Sequence, residues 1–145
     1  MNVLVVRDAM VSHPGQLPGG ASARDAGVLL QRPEVRAIFV TDGERLVGVV
    51  TRKTLVREVV ATGRGPDATP LREIAEQPHY TIGPDVPVDD AFRFLEENDA
   101  ERVPVVDANG RLVGVLSRSV LQRRLAEDAE PDDGGDEPPE LPPAA

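Results

Sequence analysis

The sequence predicts an α+β protein that contains two copies of a β-α-β-β-α unit. Residues 45–52 read RLVGVVTR, and residues 111–118, 66 positions later, read RLVGVLSR. The similarity extends to residues 22–26 and 87–91, which align at an offset of 65. Self-similarity at a fixed period indicates a duplicated structural unit. Because a unit of about 60 residues is only marginally stable alone, we expect the two copies to share apolar surface within one domain.

The first helix is predicted to begin after Ser22 and to end before Pro33. Ser22 is a favourable N-cap, and Ala26, Leu29 and Leu30 recur at the spacing of one helical face. Proline is poorly tolerated inside a helix, so the helix is expected to end before Pro33.

A hairpin and a second helix follow in the first repeat. The apolar runs 37–41 and 46–50 flank Asp42-Gly43, a dipeptide typical of tight turns. Both runs are apolar at nearly every position, so we expect both faces of the strands to be covered. Thr51 is placed to cap the next helix. The apolar face of that helix is formed by Leu55, Val56, Val59 and Val60.

The second repeat follows the same plan after a linker at residues 61–66. Pro87 suits the first turn of a helix, and strands over 102–106 and 111–116 flank a turn at Asn109-Gly110. The apolar helix positions of this repeat are Ala91, Phe92 and Leu95, and then Val120, Leu121 and Leu125 in a last helix that Ser117 caps.

An extended segment precedes the first helix of each repeat, at residues 15–17 and 80–82. A short apolar element lies in front of each segment, at residues 6–10 and 71–75. The predicted organisation is therefore a first repeat over 1–65, a second over 66–126 and a tail over 127–145.

The tail carries most of the net charge. The chain has 25 acidic and 16 basic residues, and its net charge is −9. Residues 127–145 hold eight of the acidic residues and no Lys or Arg, so the remainder is nearly neutral. A proline-rich acidic segment has too little apolar surface to order itself, which predicts a disordered, solubilising extension. The alternative is an interaction arm.

Composition argues against several classes of protein. The absence of cysteine excludes disulfides and thiolate metal sites, and His13 and His79 are isolated, which disfavours a metal centre. No apolar run approaches the roughly 20 residues of a membrane span, and residues 2–10 are followed by no cleavage-type sequence, so we expect a soluble, cytoplasmic protein. A near-neutral ordered part with one Tyr and three Phe disfavours nucleic-acid binding.

Nothing in the sequence assembles a catalytic set of nucleophile, base and oxyanion donors, so we expect no enzymatic activity. The adjacent carboxylates of the second repeat are simply explained as helix-dipole complements and surface charge. They are Asp89, Asp90, Glu96 and Glu97.

The chain resembles a tandem pair of cystathionine β-synthase (CBS) domains, a Bateman module. The resemblance rests on Arg-Asp-Ala-Met at 7–10, on Arg-Val-Pro-Val-Val-Asp at 102–107 and on Gly-apolar-apolar-Thr/Ser at 48–51 and 114–117. It covers residues 3 to about 126. It implies that the sheets of the two repeats pack about a pseudo-twofold axis and leave two clefts. In such modules the clefts often bind adenosine compounds such as AMP, ADP, ATP or S-adenosylmethionine.

The resemblance also implies a set of ligand-binding residues. A glycine allows close backbone approach, and a hydroxyl at a helix start favours a phosphate. Lys53 adds positive charge there. The candidates are Gly15, Gln16, Gly48, Thr51, Arg52, Lys53, Thr54, Tyr80, Thr81, Gly114, Ser117 and Arg118.

One departure from the family pattern concerns the ribose. Adenosine-binding members usually read Ser/Thr-x-x-Asp, with the carboxylate accepting the ribose hydroxyls, whereas this chain has Thr54 and Val120 at the Asp positions. Val120 cannot pair with a hydroxyl, and an unpaired buried polar group costs about 1–3 kcal/mol. The first cleft is therefore favoured over the second.

Each of these residues also has a purely structural interpretation. Thr51 and Ser117 are explained as helix caps, Arg52 and Arg118 as surface residues, and Tyr80 as a packed aromatic residue. The functional alternative for Tyr80 is that its ring stacks on a purine.

Two functional hypotheses remain. The first is a regulatory module, without enzymatic activity, that senses a small ligand, with an adenine nucleotide as the candidate. The second is a ligand-free dimerisation or protein-interaction module. We expect a homodimer in either case, with apolar residues of exposed helices at the interface: Leu55, Val59, Leu121 and Leu125. The high Arg, Ala, Gly and Pro content suggests a GC-rich bacterial source.

Overall fold

The computed structural model describes residues 4–12 and 14–129 of the 145. The helices are α1 (Val6–Ala9), α2 (Ala23–Leu30), α3 (Arg52–Leu55), α4 (Leu71–Ile74), α5 (Val88–Glu97) and α6 (Arg118–Ala129); a π-helix (Val56–Val60) continues α3 and a 3-10 turn (Pro66–Ala68) precedes α4. The strands are β1 (Gln16–Pro18), β2 (Ile38–Asp42), β3 (Arg45–Val50), β4 (Arg102–Val106) and β5 (Leu112–Ser117). His13 and most of the predicted acidic tail lie outside the described residues.

The first repeat contains a three-stranded sheet in the order β1-β2-β3. β1 pairs with β2 in parallel, and β2 pairs with β3 in an antiparallel hairpin. The predicted turn is confirmed: Gly43 has a φ of 62°, a left-handed conformation that glycine adopts without strain. The hairpin register shifts between Val40 and Thr41.

The second repeat contains the equivalent hairpin, and its extended segment pairs only at one residue. β4 and β5 are antiparallel, with Gly110 in the turn at φ 85°. Ile82 forms a single parallel bridge with Val105. Its amide donates to Pro104 O at 3.1 Å and its carbonyl accepts from Val106 N at 2.9 Å. Pro84 follows two residues later and has no N–H to donate, so the ladder cannot continue there.

The predicted helix starts are confirmed at Ser22 and Thr51. Ser22 Oγ accepts from Asp25 N at 3.1 Å, and the Asp25 carboxylate accepts from Ser22 N at 3.0 Å, which is a capping box. Thr51 Oγ1 accepts from Thr54 N at 3.3 Å. Pro87 is the N-cap of α5 rather than a residue of its first turn.

The helix after Thr51 differs from the single α-helix that was expected. α3 lasts four residues and then widens into the π-helix. That segment holds Val56, Val59 and Val60, whose β-branched side chains crowd the preceding turn of a regular α-helix.

Each repeat has its own hydrophobic core, and each core is completed by a helix from the other half of the sequence. Val6 and Ala9 of α1 are buried with the side chains of α5, β4, β5 and α6. Leu71 and Ile74 of α4 are buried with the side chains of α2, β2 and β3. The two halves of the chain therefore cross over and depend on each other.

Two of the apolar residues expected at a dimer interface are instead core residues. Val59 is 5% exposed and Leu121 is fully buried, each within its own repeat. The expectation that they lie on an exposed face is wrong, because each side chain packs into the hydrophobic core of its repeat.

The repeats contact each other in reciprocal pairs, as a pseudo-twofold relation requires. Leu46 N donates to Gly110 O at 3.1 Å, and Leu112 N donates to Glu44 O at 2.9 Å, which joins the two hairpins. In the same way, Glu76 bridges to Val49 of β3, and Val11 bridges to Val115 of β5. No helix among the described residues is long and apolar enough to cross a membrane.

Candidate functional site

A cleft of about 930 Å³ lies between the two repeats. One wall comes from the end of β3 and the start of α3, with Thr51, Lys53 and Thr54. The opposite wall comes from the second half of the chain, with Tyr80 and Arg102. The volume falls within the range of about 300–1,000 Å³ that is usual for ligand pockets.

Four side chains form a connected polar network in this cleft. Thr54 is 1% exposed, and its hydroxyl donates to Glu76 Oε2 at 3.0 Å. The same hydroxyl accepts from Thr51 N at 3.0 Å and lies 3.1 Å from Thr51 Oγ1. The Arg57 guanidinium also donates to Glu76 Oε2. The position where the family usually has a ribose-binding Asp is thus occupied by a threonine that holds a glutamate.

Arg57 keeps its charge in this network. The hydrogen bond that it donates to Glu58, and then the one to Glu76, raise the pKa of the guanidinium above its ordinary value. The positive charge of Arg57 therefore balances the carboxylate of Glu76.

Three further cationic side chains line the cleft. They are Arg36, Lys53 and Arg102, and none of them forms an ion pair with a residue that the structure describes. Arg36 and Arg102 are 66 positions apart and occupy equivalent places in the two repeats. The lining also includes the acidic residues Glu34 and Asp99.

Tyr80 lies at the second-repeat side of the cleft and is 38% exposed. Its ring meets Phe94 edge to face, with 5.4 Å between ring centroids, and lies 6.2 Å from the ring of His79. An edge-to-face contact supports one side of the ring and leaves part of it open to the cleft.

The remaining candidates of the first cleft are placed differently. Gly15 lines the cleft, whereas Gln16 and Thr81 are exposed side chains that do not. Arg52 is directed elsewhere, because its guanidinium donates to the carbonyl of Arg32 at 2.7 Å.

Gly48 and Gly114 are buried under crossing backbone. A Cβ on Gly48 would lie 2.5 Å from Ala75 Cβ and 3.1 Å from Glu76 O. A Cβ on Gly114 would lie 2.6 Å from Met10 Sδ and 2.8 Å from Val11 O. The close approach that each glycine permits is therefore to another part of this chain.

The candidates of the second cleft do not line the cavity. Ser117 is 8% exposed, and its hydroxyl lies 3.0 Å from Ser119 Oγ and accepts from Val120 N at 3.4 Å. The Arg118 guanidinium is within 3.7 Å of Asp99 and 3.6 Å of Glu101. Both side chains are engaged within their own repeat.

Sequence reasoning missed Glu76, Arg57, Arg36 and Arg102 as cleft residues. The available signal was the alignment of the two repeats. At offsets of 65 and 66, Glu76 aligns with Val11 and Thr54 aligns with Val120. A polar pair beside β3 therefore corresponds to an apolar pair beside β5.

Within the described ranges, no group of three His, Cys, Asp or Glu side chains has the arrangement of a metal site. The chemistry that the cleft offers is recognition by cations, hydroxyls, one held carboxylate and an aromatic ring.

A second, smaller groove of about 450 Å³ lies on the outer face of the first repeat, between α2 and the π-helix. Two exposed valines line this groove, Val28 and Val60, at 53% and 71% exposure. Val56, at 57% exposure, lies four residues before Val60 in the π-helix. At the equivalent places the second repeat has Arg93, Gln122 and Ala126.

Comparison with known proteins identifies related sequences. A model of the CBS domain family matches residues 6–61 and 71–127. The chain is 33% identical over 86 residues to the uncharacterized protein MK0525 of Methanopyrus kandleri, an alignment that covers 59% of this chain and 44% of that protein. It is 32% identical over 128 residues to an A-adding tRNA nucleotidyltransferase of Aquifex aeolicus, over 88% of this chain and 15% of the enzyme. The chain thus spans less than half the length of these relatives.

Solved structures share the fold. A putative acetoin utilization protein (AcuB) from Vibrio cholerae matches with a TM-score of 0.74 at 23% identity, over 90% of this chain and 100% of that one. CBSX2, whose crystal structure is a complex with AMP, matches with a TM-score of 0.70 at 26% identity, over 87% of this chain and 98% of that one.

Proposed function

The chain belongs to the CBS domain family, as a tandem pair of CBS domains, and from this premise we propose that it is a regulatory module that binds an adenine nucleotide in the cleft between its repeats. The complex of the related CBSX2 with AMP supports this class of ligand. Thr51, Lys53 and Thr54 of the first repeat line this cleft, whereas Ser117 and Arg118 do not, which favours the first site over the second.

The observation that carries this proposal is the set of cations in the cleft. Arg36, Lys53 and Arg102 approach from both repeats and form no ion pair within the part of the chain that the structure describes. Like charges gathered around a cavity repel one another unless an anion joins them. Guanidinium and ammonium groups are the common partners of phosphates.

The rest of the cleft suits the adenosine part of such a ligand. Tyr80 presents an aromatic ring that can stack on a purine. Val35, Ala37 and Val49 supply apolar lining in the same cleft.

A non-enzymatic role fits both the cleft and the relatives. The cleft contains groups for recognition. The hydroxyls of Thr51 and Thr54 are engaged in hydrogen bonds to each other and to Glu76. The related nucleotidyltransferase is a much longer protein, of which this chain matches 15%. We therefore assign this chain the role of a ligand-sensing segment.

We also propose that the protein forms a homodimer through the outer face of its first repeat. Val28 and Val60 are exposed and line the groove between α2 and the π-helix. Val56 is also exposed and lies four residues before Val60, a spacing that places neighbours on one side of a helix. Pairing this face with its own copy removes the apolar surface of both chains from water.

Calorimetric titration of the full chain tests the ligand proposal. AMP, ADP, ATP and S-adenosylmethionine are titrated separately into the wild type, Lys53→Ala and Arg102→Ala. We expect binding of at least one nucleotide, weakened about tenfold or more by each substitution, because hydrogen bonds to charged groups contribute about 1.5–3 kcal/mol. Arg93→Ala is the matched control, since Arg93 pairs with Asp90 on α5 outside the cleft.

The outcomes separate the two functional hypotheses. Heat from no ligand at any usable concentration would contradict the sensor and favour a module that acts through protein contacts alone. Equal weakening by Arg93→Ala would show that net charge, rather than the cleft, governs the affinity.

A further inference from the structure

Glu76 is fixed in the cleft by its backbone. Val49 N donates to Glu76 O at 2.8 Å, and Glu76 N donates to Val49 O at 2.9 Å. This pair of bonds attaches the segment after α4 to the outer edge of β3. The side chain is consequently delivered to the cleft wall, where it is 45% exposed.

The protons of the network can be assigned. Thr54 has one hydroxyl hydrogen, and its neighbours are the Glu76 carboxylate at 3.0 Å and Thr51 Oγ1 at 3.1 Å. A carboxylate is the stronger acceptor, and it has no hydrogen of its own to give. Thr54 therefore donates to Glu76, and Thr51 donates to Thr54.

All the donors converge on one oxygen of the carboxylate. Thr54 Oγ1 and the Arg57 guanidinium both donate to Glu76 Oε2. Among the described residues, none donates to Oε1. Oε2 is thus held in place, while Oε1 accepts from no donor among the described residues and keeps its acceptor capacity.

The equivalent place beside β5 shows that the fold does not require this network. Val11 occupies the place of Glu76 and makes the same paired backbone bonds to Val115, at 2.9 and 3.0 Å. Val120 occupies the place of Thr54. The same backbone arrangement is therefore satisfied by apolar side chains, and the polar pair beside β3 needs another reason.

We infer that Glu76 is the acceptor for a pair of adjacent hydroxyls on the ligand, the vicinal diol of a sugar, with Thr54 and Arg57 as positioning residues. This inference rests on the proposed nucleotide function and specifies its sugar contact. A neutral donor suits the site better than a cationic amine, because Arg57 already balances the charge of the carboxylate. Val11 and Val120, at the equivalent places beside β5, offer no such acceptor, so each chain holds one diol-bearing ligand.

Titration with AMP and with 2′,3′-dideoxy-AMP tests the inference on the full chain. The wild type is expected to bind one AMP per chain and to prefer AMP to the dideoxy compound by about tenfold or more. Glu76→Gln is expected to remove that preference by weakening AMP alone. Glu73→Gln is the matched control: it removes the same charge three residues away, where Glu73 pairs with Arg64 outside the cleft.

Thr54→Val tests the positioning role. Valine is close in shape to threonine and is already present at the equivalent place in the second repeat. The expected result is a smaller ratio of AMP to dideoxy-AMP affinity with unchanged binding of dideoxy-AMP. A purely structural role would lower both affinities together.

Several results would overturn the inference. If the wild type binds AMP and dideoxy-AMP equally, the inference is wrong but the nucleotide proposal stands. The same conclusion follows if Glu76→Gln loses equal affinity for both ligands. Two AMP molecules per chain would contradict the single site. Binding of no adenine nucleotide would remove both proposals.

Discussion

Gly48 and Ala75 lie so close that a Cβ on Gly48 would be 2.5 Å from Ala75 Cβ. The backbone of residues 75–76 crosses β3 at this point and carries Glu76 to the cleft. Gly48, which begins the Gly-apolar-apolar-Thr motif, thus allows the chain to pack closely on itself. This packing in turn positions the Glu76 carboxylate in the cleft.

Gly48→Ala is expected to destabilise the protein by about 1–3 kcal/mol, because the added methyl group forces the crossing segment away from β3. Denaturant unfolding measures the effect. Combining it with Ala75→Gly removes the closest atom of the clash and is expected to restore part of the stability. An unchanged midpoint for the single variant would contradict the tight contact.

Leu71→Ala is expected to cost about 2–5 kcal/mol of stability, although Leu71 lies in the second half of the sequence. Its side chain is fully buried in the core of the first repeat. Urea unfolding followed by circular dichroism provides the measurement, and Gln122→Ala, at an exposed position of α6, is the control. A loss within 0.5 kcal/mol, as is usual for surface changes, would argue against the crossed cores.

Asp107 should make the second hairpin sensitive to acid. Its carboxylate accepts from Asn109 N at 2.9 Å and Arg111 N at 3.0 Å, and the Arg111 bond is the main cause of its lowered pKa. A lowered pKa in the folded state gives stability that is present above the unfolded-state pKa of about 3.9 and is lost as the pH falls through the folded value.

Asp107→Asn is therefore expected to flatten the decline of stability in this acidic range. Urea midpoints measured at successive pH values check this. Glu96→Gln, which removes an exposed carboxylate on α5, is expected to preserve the slope. An identical slope in wild type and Asp107→Asn would show that the turn carboxylate plays no part.

The proposed dimer face gives a paired prediction. Val56→Glu places a charge on the apolar face of the first repeat and is expected to convert dimers into monomers. Gln122→Glu makes the same change at the equivalent place in the second repeat and is expected to leave the mass unaltered. Light scattering measures the molecular mass of both variants. A wild-type mass of one chain at high micromolar concentration would rule out the homodimer.

Local features could be predicted from the sequence because their causes are local. The helix cap at Ser22 and the turns at Gly43 and Gly110 depend on residues within three or four positions, and each is confirmed. The fold class followed from the repeat, which needs no knowledge of long-range contacts.

The cleft could be predicted only in part. Thr51, Lys53, Thr54 and Tyr80 were expected in a cleft, and they do line one. Glu76 was missed because it reaches Thr54 only after the chain crosses to the other repeat, a contact 22 positions apart that no local pattern encodes.

The crossing of the chain has a consequence for how the protein can be divided. Residues 61–63 and 65–68, between the repeats, are exposed. A backbone cut there would leave two fragments, each carrying the short helix that fills the other's interior. Neither fragment is then a self-sufficient folding unit, and mixing the two should rebuild the protein by noncovalent complementation.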